Sequence, residues 1–225
     1  MTPLRALATK PWLPDAGDQG AAWDRASMPA AWVGLIVFLV VVTVLFLLLA
    51  VAYLMRMGLG DWVPLAEPPV LWLNTLVLVL GSVALHASWT NMRRGRFRAA
   101  RGAFLTGGLC AVAFLAGQFV AWRQLGALGH TVASNPANTF FFLLSALHGL
   151  HLFGGLVVWG RVAARHRHRL VADGANTGAD TGFDGSIALC AAYWHFLLLV
   201  WLALFALMLA DNGGIAILSP ILHVH

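Results

Sequence analysis

Apolar residues in this chain come in long, nearly unbroken runs, not in the short alternation of a soluble strand or the one-sided periodicity of a soluble helix. Five runs stand out: Trp32–Met55, Val70–Trp89, Ala103–Trp122, Thr139–Trp159 and Ile187–Ala210. Each reaches the roughly 20 residues that a helix needs to cross a hydrocarbon core about 30 Å thick. None holds Asp, Glu, Lys or Arg away from its ends. A backbone in lipid must satisfy its own hydrogen bonds, and runs this long and even are unlike the short alternating segments of a barrel. The pattern therefore predicts an all-α membrane protein, a bundle of five transmembrane helices.

The polar remainder sets the expected organisation. Residues 1–30, with Pro3, Pro11, Pro14 and Pro29 and no apolar stretch of their own, read as a short tail and as neither a signal peptide nor a lipoprotein anchor. Residues 31–211 form the bundle, and 212–225 a second tail. Gly60–Pro69 reads as a proline-rich loop, and Asp173–Gly185, rich in Gly, Asp and Thr, as a flexible one. No repeat of 20–50 residues is present, so solenoid folds are excluded.

Charge supplies the orientation. The net charge is +5, and twelve of the fourteen Lys and Arg residues fall on one side of the alternating helices. These are Arg5, Lys10 and Arg25, the run Arg93, Arg94, Arg96, Arg98 and Arg101, and the run Arg161, Arg165, Arg167 and Arg169; only Arg56 and Arg123 lie opposite. Basic loops mark the cytoplasmic side, so the N-terminus is expected in the cytoplasm and the C-terminus outside. Arg93, Arg94, Arg96, Arg161 and Arg165 would anchor the inner face. Basic clusters placed between apolar runs are topogenic, which argues against nucleic acid as a partner. Trp32, Trp89 and Trp159 fall near inner helix ends and Trp62, Trp72 and Trp122 near outer ones, where indoles prefer the interface. Trp194 and Trp201 lie mid-run and are expected to pack on protein. A chain 60% hydrophobic and 10% charged is not a soluble enzyme or a disordered segment. Cys110 and Cys190 form no CxxC pair and cannot build a zinc site alone.

Candidate chemistry reduces to a few buried polar groups. His86 lies late in the second run, His148 and His151 in the fourth and His195 in the fifth, with Gln118 in the third. Ionisable groups at membrane depth usually face the bundle interior or a functional path. At 1.5 Å per residue, His151 and His195 both sit on the order of 12 Å from the inner side, so the two are expected to approach one another. His148 is a turn deeper and His86 shallower. Three uses fit: hydrogen bonds between helices, bis-histidine haem ligation, or a metal site, which needs three or four converging ligands. Absence of a carboxylate in the runs weakens the last. Ser145 lies one turn from His148 but has no acidic orienter for nucleophilic chemistry. Gly154–Gly155 and the pair Ala113/Gly117 have the small size of helix-packing positions. No Gly/Pro-broken helix or paired intramembrane charge suggests a transporter.

The last two runs carry a recognisable text. NTFFFLLSALHGLHLFGGLVVW (Asn138–Trp159) and YWHFLLLVW (Tyr193–Trp201) resemble the paired signatures of subunit III of the haem–copper oxidases. AYLMRMGLGDW (Ala52–Trp62), PPVLWLNTLVL (Pro68–Leu78) and GQFVAWRQL (Gly117–Leu125) follow the same family's order, and the likeness covers roughly residues 30–210. With five runs, the chain is similar to the five-helix form that lacks the first two helices of the longer one. The resemblance implies an accessory, non-redox subunit of a proton-pumping complex that reduces dioxygen to water. It further implies direct packing on subunit I, subunit II in the same complex, haem and copper held by those partners and none here, and bound structural phospholipid. The location implied is the cytoplasmic membrane of a bacterium, with cytochrome c or quinol as the complex's electron donor. No catalytic, cofactor-binding or metal-ligating residue is expected in this chain. His86, Gln118, His148, His151, Tyr193, Trp194 and His195 become signature or structural polar positions. Leu198 stands where the family's motif often has an acid. An accessory protein of a nitric oxide reductase shares the five-helix pattern, and a b-type cytochrome is the remaining alternative.

Overall fold

A computed structural model of the chain describes residues 30–59, 61–63, 68–132, 134–172 and 181–210. Among the described residues five helices make up the secondary structure: α1 (Ala30–Met57), α2 (Val70–Arg93), α3 (Phe97–Ala127), α4 (Pro136–Ala172) and α5 (Thr181–Leu209). All five are long and apolar enough to cross a membrane. Residues 1–29 of the first expected tail, the whole of the second, residues 60 and 64–67 of the expected Gly60–Pro69 loop and residues 173–180 of the expected Asp173–Gly185 loop lie outside the described residues, as do the side chains of Arg167 and Arg169.

The helices outrun the apolar runs that predicted them. An apolar run measures the hydrocarbon, whereas a helix ends only where its backbone is interrupted. Thus α4 continues past Trp159 through Arg161 and Arg165 to Ala172, since from 161 onward no Gly or Pro intervenes and Ala and Arg are good helix formers. Helix α5 begins at Thr181, inside the segment expected to be loop. The first basic run is likewise not a long loop. Only Arg94–Arg96 separate α2 from α3, and Gly95 at φ +70° makes the turn, its N–H donating to the Met92 carbonyl and that of Arg96 to Asn91. A residue with a Cβ would be strained there.

By packing, the chain divides within α1, at Val37/Phe38. The described part of the first unit, 30–37, is two helical turns that expose Val33, Ile36 and Val37. In the second unit α2 and α3 pack most extensively. Their backbones approach at glycine: a Cβ on Gly107 would lie 2.5 Å from Leu85 Cγ, and one on Gly81 2.9 Å from Cys110 Cβ. The buried face of α2 is Leu71, Asn74, Leu78, Gly81, Ser82, Leu85, Ser88 and Met92, a stripe at three- and four-residue spacing. In the remainder of α1, Val42, Phe46 and Tyr53 are the buried positions.

Short connections make α2, α3 and α4 antiparallel neighbours. At one end, Val63 N–H donates to Asn135 Oδ1 (3.5 Å) while Asn135 Nδ2 donates to the Val63 carbonyl, clasping the α1–α2 connection to the α3–α4 connection. Arg56 donates to both carboxylate oxygens of Asp61 at 2.6 and 2.5 Å, and this hydrogen bonding holds the exposed Asp61 carboxyl below its ordinary range. Helices α2 and α4 both run away from that clasp, so exposed Arg93, Arg94, Arg96, Arg161 and Arg165 stand at the other end. There Arg93 lies 5.3 Å from the Trp89 ring centroid.

Candidate functional site

Helix α4 carries His148 and His151 three residues apart, hence on neighbouring faces. The structure treats them differently. His148 is fully buried, with Trp201 of α5 at 5.2 Å, Phe114 of α3 at 5.7 Å and Phe46 of α1 at 6.5 Å between ring centroids. Neither of its ring nitrogens has a hydrogen-bond partner among the described residues. His151 is half-buried, and its Nδ1–H donates to the Leu147 carbonyl one turn back, 2.7 Å away. Phe46 and Phe38 lie against its ring at 5.6 and 6.1 Å.

Tyr193 crosses from α5 to donate its hydroxyl to the His151 backbone carbonyl at 2.8 Å. Gly155 makes room for it, since a Cβ there would lie 2.6 Å from Tyr193 Cε1. His195, however, does not meet His151. It hydrogen-bonds Ser82 Oγ through Nδ1, and its Nε2 lies 3.5 Å from Nδ1 of His86, with the two rings stacked at 5.6 Å. The expected His151–His195 approach is corrected, and the reason is azimuth. Two residues advance a helix by about 200°, so once Tyr193 faces α4, His195 must face the other way, toward α2. Depth alone does not bring side chains together.

Gln118 is buried, and its Oε1 accepts from Asn74 Nδ2 at 3.5 Å, while its Nε2 has no partner among the described residues. A Cβ on Gly117 would fall 2.0 Å from Asn74 Oδ1, so that glycine admits the Asn74 side chain. Of the other small positions, Gly154 has nothing within 4 Å and Ala113 is exposed; both point outward, whereas Gly117 and Gly155 are the packing positions. Trp194 and Trp201 are buried on protein.

Indoles do much of the remaining bonding. Trp201 Nε1 donates to Thr75 Oγ1 (2.9 Å), Trp122 Nε1 to Ser145 Oγ (3.1 Å) and Trp159 Nε1 to the Phe104 carbonyl (2.9 Å). Each joins two helices, so Trp122 and Trp159, expected from sequence at the interface, also bond neighbouring helices together. Asn74, Thr75, Ser82 and the Gly108/Trp159 contact were not singled out from sequence. A signal existed: Asn74 and Ser82 recur with small or apolar residues on the three-four stripe of α2.

Chemically, these groups make a set of hydrogen bonds between and within helices. Among the described residues, no three His, Cys, Asp or Glu side chains converge as a metal site requires.

No protein-family model matches the chain. It is 28% identical over 179 residues to cytochrome c oxidase subunit 3 of Thermostichus vulcanus, covering 78% of this chain and 84% of that protein. It is 30% identical over 156 residues to a probable cytochrome c oxidase subunit 3 of Mycobacterium tuberculosis, covering 66% and 71%. To cytochrome c oxidase subunit 3 of Synechocystis it is 29% identical over 180 residues, covering 78% and 73%.

Proposed function

Because this chain belongs to the cytochrome c oxidase subunit 3 family, we propose that it is the accessory subunit III of a proton-pumping haem–copper oxidase, packed on catalytic subunit I and carrying no redox centre of its own. One observation carries the accessory reading: the signature side chains are engaged in packing. Tyr193 ties α5 to α4, His195 ties α5 to α2, His148 is enclosed by aromatic rings, and His151 returns its proton to its own helix. Lipid does not press helices together as water would, so a bundle in hydrocarbon relies on such bonds and on close glycine contacts.

The surface left uncovered supports a position for the chain in the complex. Helix α1 is the least buried of the five, and apolar side chains such as Val40, Leu47 and Leu54 are exposed around it. We place subunit I against α1 and α2, with subunit II in the same complex and phospholipid along the apolar faces that protein leaves open. The exposed arginines at one end support a cytoplasmic setting for that end, with the N-terminus inside and the C-terminus outside a bacterial cytoplasmic membrane.

Gentle solubilisation followed by pull-down on this chain tests the assignment. Subunits I and II of a haem–copper oxidase are expected in fixed ratio by mass. Recovery of the chain without a haem–copper subunit overturns the reading.

A further inference from the structure

Among the described histidines of the spans, one faces outward. His86 is exposed on α2, seven residues from Arg93 and therefore about 10 Å along the helix from its basic end. Helix α2 has 24 residues, about 36 Å, against a hydrocarbon core of about 30 Å. With the excess shared between its ends, His86 lies about 7 Å below the hydrocarbon boundary, beneath the level of lipid headgroups. Its neighbours on the outward stripe, Leu76, Leu80 and Val83, are apolar and exposed, as is Leu199, one turn past His195 on α5.

The direction of the hydrogen bonds behind His86 can be worked out. Thr75 and Ser145 donate their hydroxyl protons to carbonyls four residues back, the usual use of a hydroxyl inside a helix. Buried Ser82 does not; among the described residues its partner is His195 Nδ1. Were Ser82 to accept there, its own buried proton would be left unpaired, so the arrangement that satisfies both groups has Ser82 donating to His195 Nδ1. A singly protonated imidazole donates from one nitrogen and accepts at the other. His195 thus carries its proton on Nε2 and donates to His86 Nδ1, which leaves the proton of His86 on Nε2, directed away from the bundle. That N–H has no partner among the described residues.

We propose that the outward face formed by His86, Val83 and Leu80 of α2 with Leu199 of α5 is a docking surface for a transmembrane helix of another subunit, which presents an acceptor oxygen to the His86 Nε2–H. This rests on the reading of the chain as one subunit of a larger complex and specifies a contact within it. The hydrogen-bond series selects the partner's chemistry. A second copy of this chain would bring a second N–H donor to the same place, and headgroup phosphates lie above it. An unpaired donor in hydrocarbon is costly, so the acceptor adds specificity to an otherwise apolar contact.

Photocrosslinking in membranes holding the full complex tests this. A benzophenone amino acid at Val83 is expected to crosslink to a transmembrane segment of another protein, mapped by mass spectrometry to within one turn of an acceptor side chain. His86→Leu should lower that yield at least fivefold at equal membrane levels of the chain. His86→Gln, which keeps an N–H donor at the same reach, should retain more than half of it. Ser82→Ala, which leaves the surface intact but frees the proton positions, should fall between the two. Crosslinks to lipid alone or to a second copy, or equal yields from His86→Leu and His86→Gln, overturn the proposal. If subunit I still co-purifies in that case, the accessory-subunit reading stands without it. If subunit I is not recovered but Val83 crosslinks another transmembrane protein as described, the docking surface stands and the oxidase reading falls.

Discussion

An alanine at Gly108 is expected to loosen the junction of α3 and α4 by about 1–3 kcal/mol, the usual cost of overpacking a filled interior. Its Cβ would land 2.1 Å from Cε2 and 2.2 Å from Cζ2 of Trp159. The indole cannot simply step aside. Its Nε1 donates to the Phe104 carbonyl at 2.9 Å, and its ring stacks on Phe104 at 5.8 Å. Thermal dissociation of the purified complex, followed as release of this chain, measures the effect. In a double-mutant cycle with Trp159→Leu, the combined loss should be smaller than the sum of the two, because the second change removes the ring that the first strikes. Gly102→Ala is the control. Gly102 has nothing within 4 Å, so the same substitution should be neutral or should stabilise α3 by up to about 1 kcal/mol. Strictly additive losses at Gly108 and Trp159 would remove the contact as the cause.

The second large effect separates two histidines that look equivalent in sequence. His195→Leu should weaken retention of the chain in its complex more than His151→Leu does. His195 joins α2 to α5, and its loss strips the buried Ser82 hydroxyl and His86 of their partner at once. Bonds between helices in membranes are worth about 0.6–1.7 kcal/mol each. The His151 imidazole bonds within its own helix, and the bond that crosses to α5 there uses its backbone carbonyl, which leucine also supplies. Detergent titration of the two variants, scored by the fraction of chain still bound, should rank His195→Leu below His151→Leu. The reverse order would contradict the hydrogen-bond assignment.

Number and type of the helices were legible because hydrocarbon thickness imposes a length and forbids charge, and both constraints are written directly in Trp32–Met55 and its counterparts. Helix ends were less so, as the run of α4 through Arg161 and Arg165 to Ala172 illustrates. Burial of Trp194 and Trp201 followed from their mid-run position, whereas the partners of His195 did not. Rise per residue gives depth from sequence, but which neighbour a side chain faces depends on how the helices are arranged around one another, and apolar runs exposed on all sides do not encode that order. Helix α5 turns Tyr193 to α4 and His195 to α2, an arrangement fixed by the glycine at 155 and the serine at 82 together. Gln118 was recognisable as a buried hydrogen bonder, but its partner Asn74 was concealed in a run that otherwise reads as lipid-facing.

Counting iron and copper per catalytic subunit, before and after this chain is stripped from the purified complex with detergent, tests the non-redox assignment most directly. Unchanged ratios, with an unchanged haem absorbance spectrum, are the predicted result. Loss of a whole equivalent of haem or copper with the departing polypeptide would contradict it.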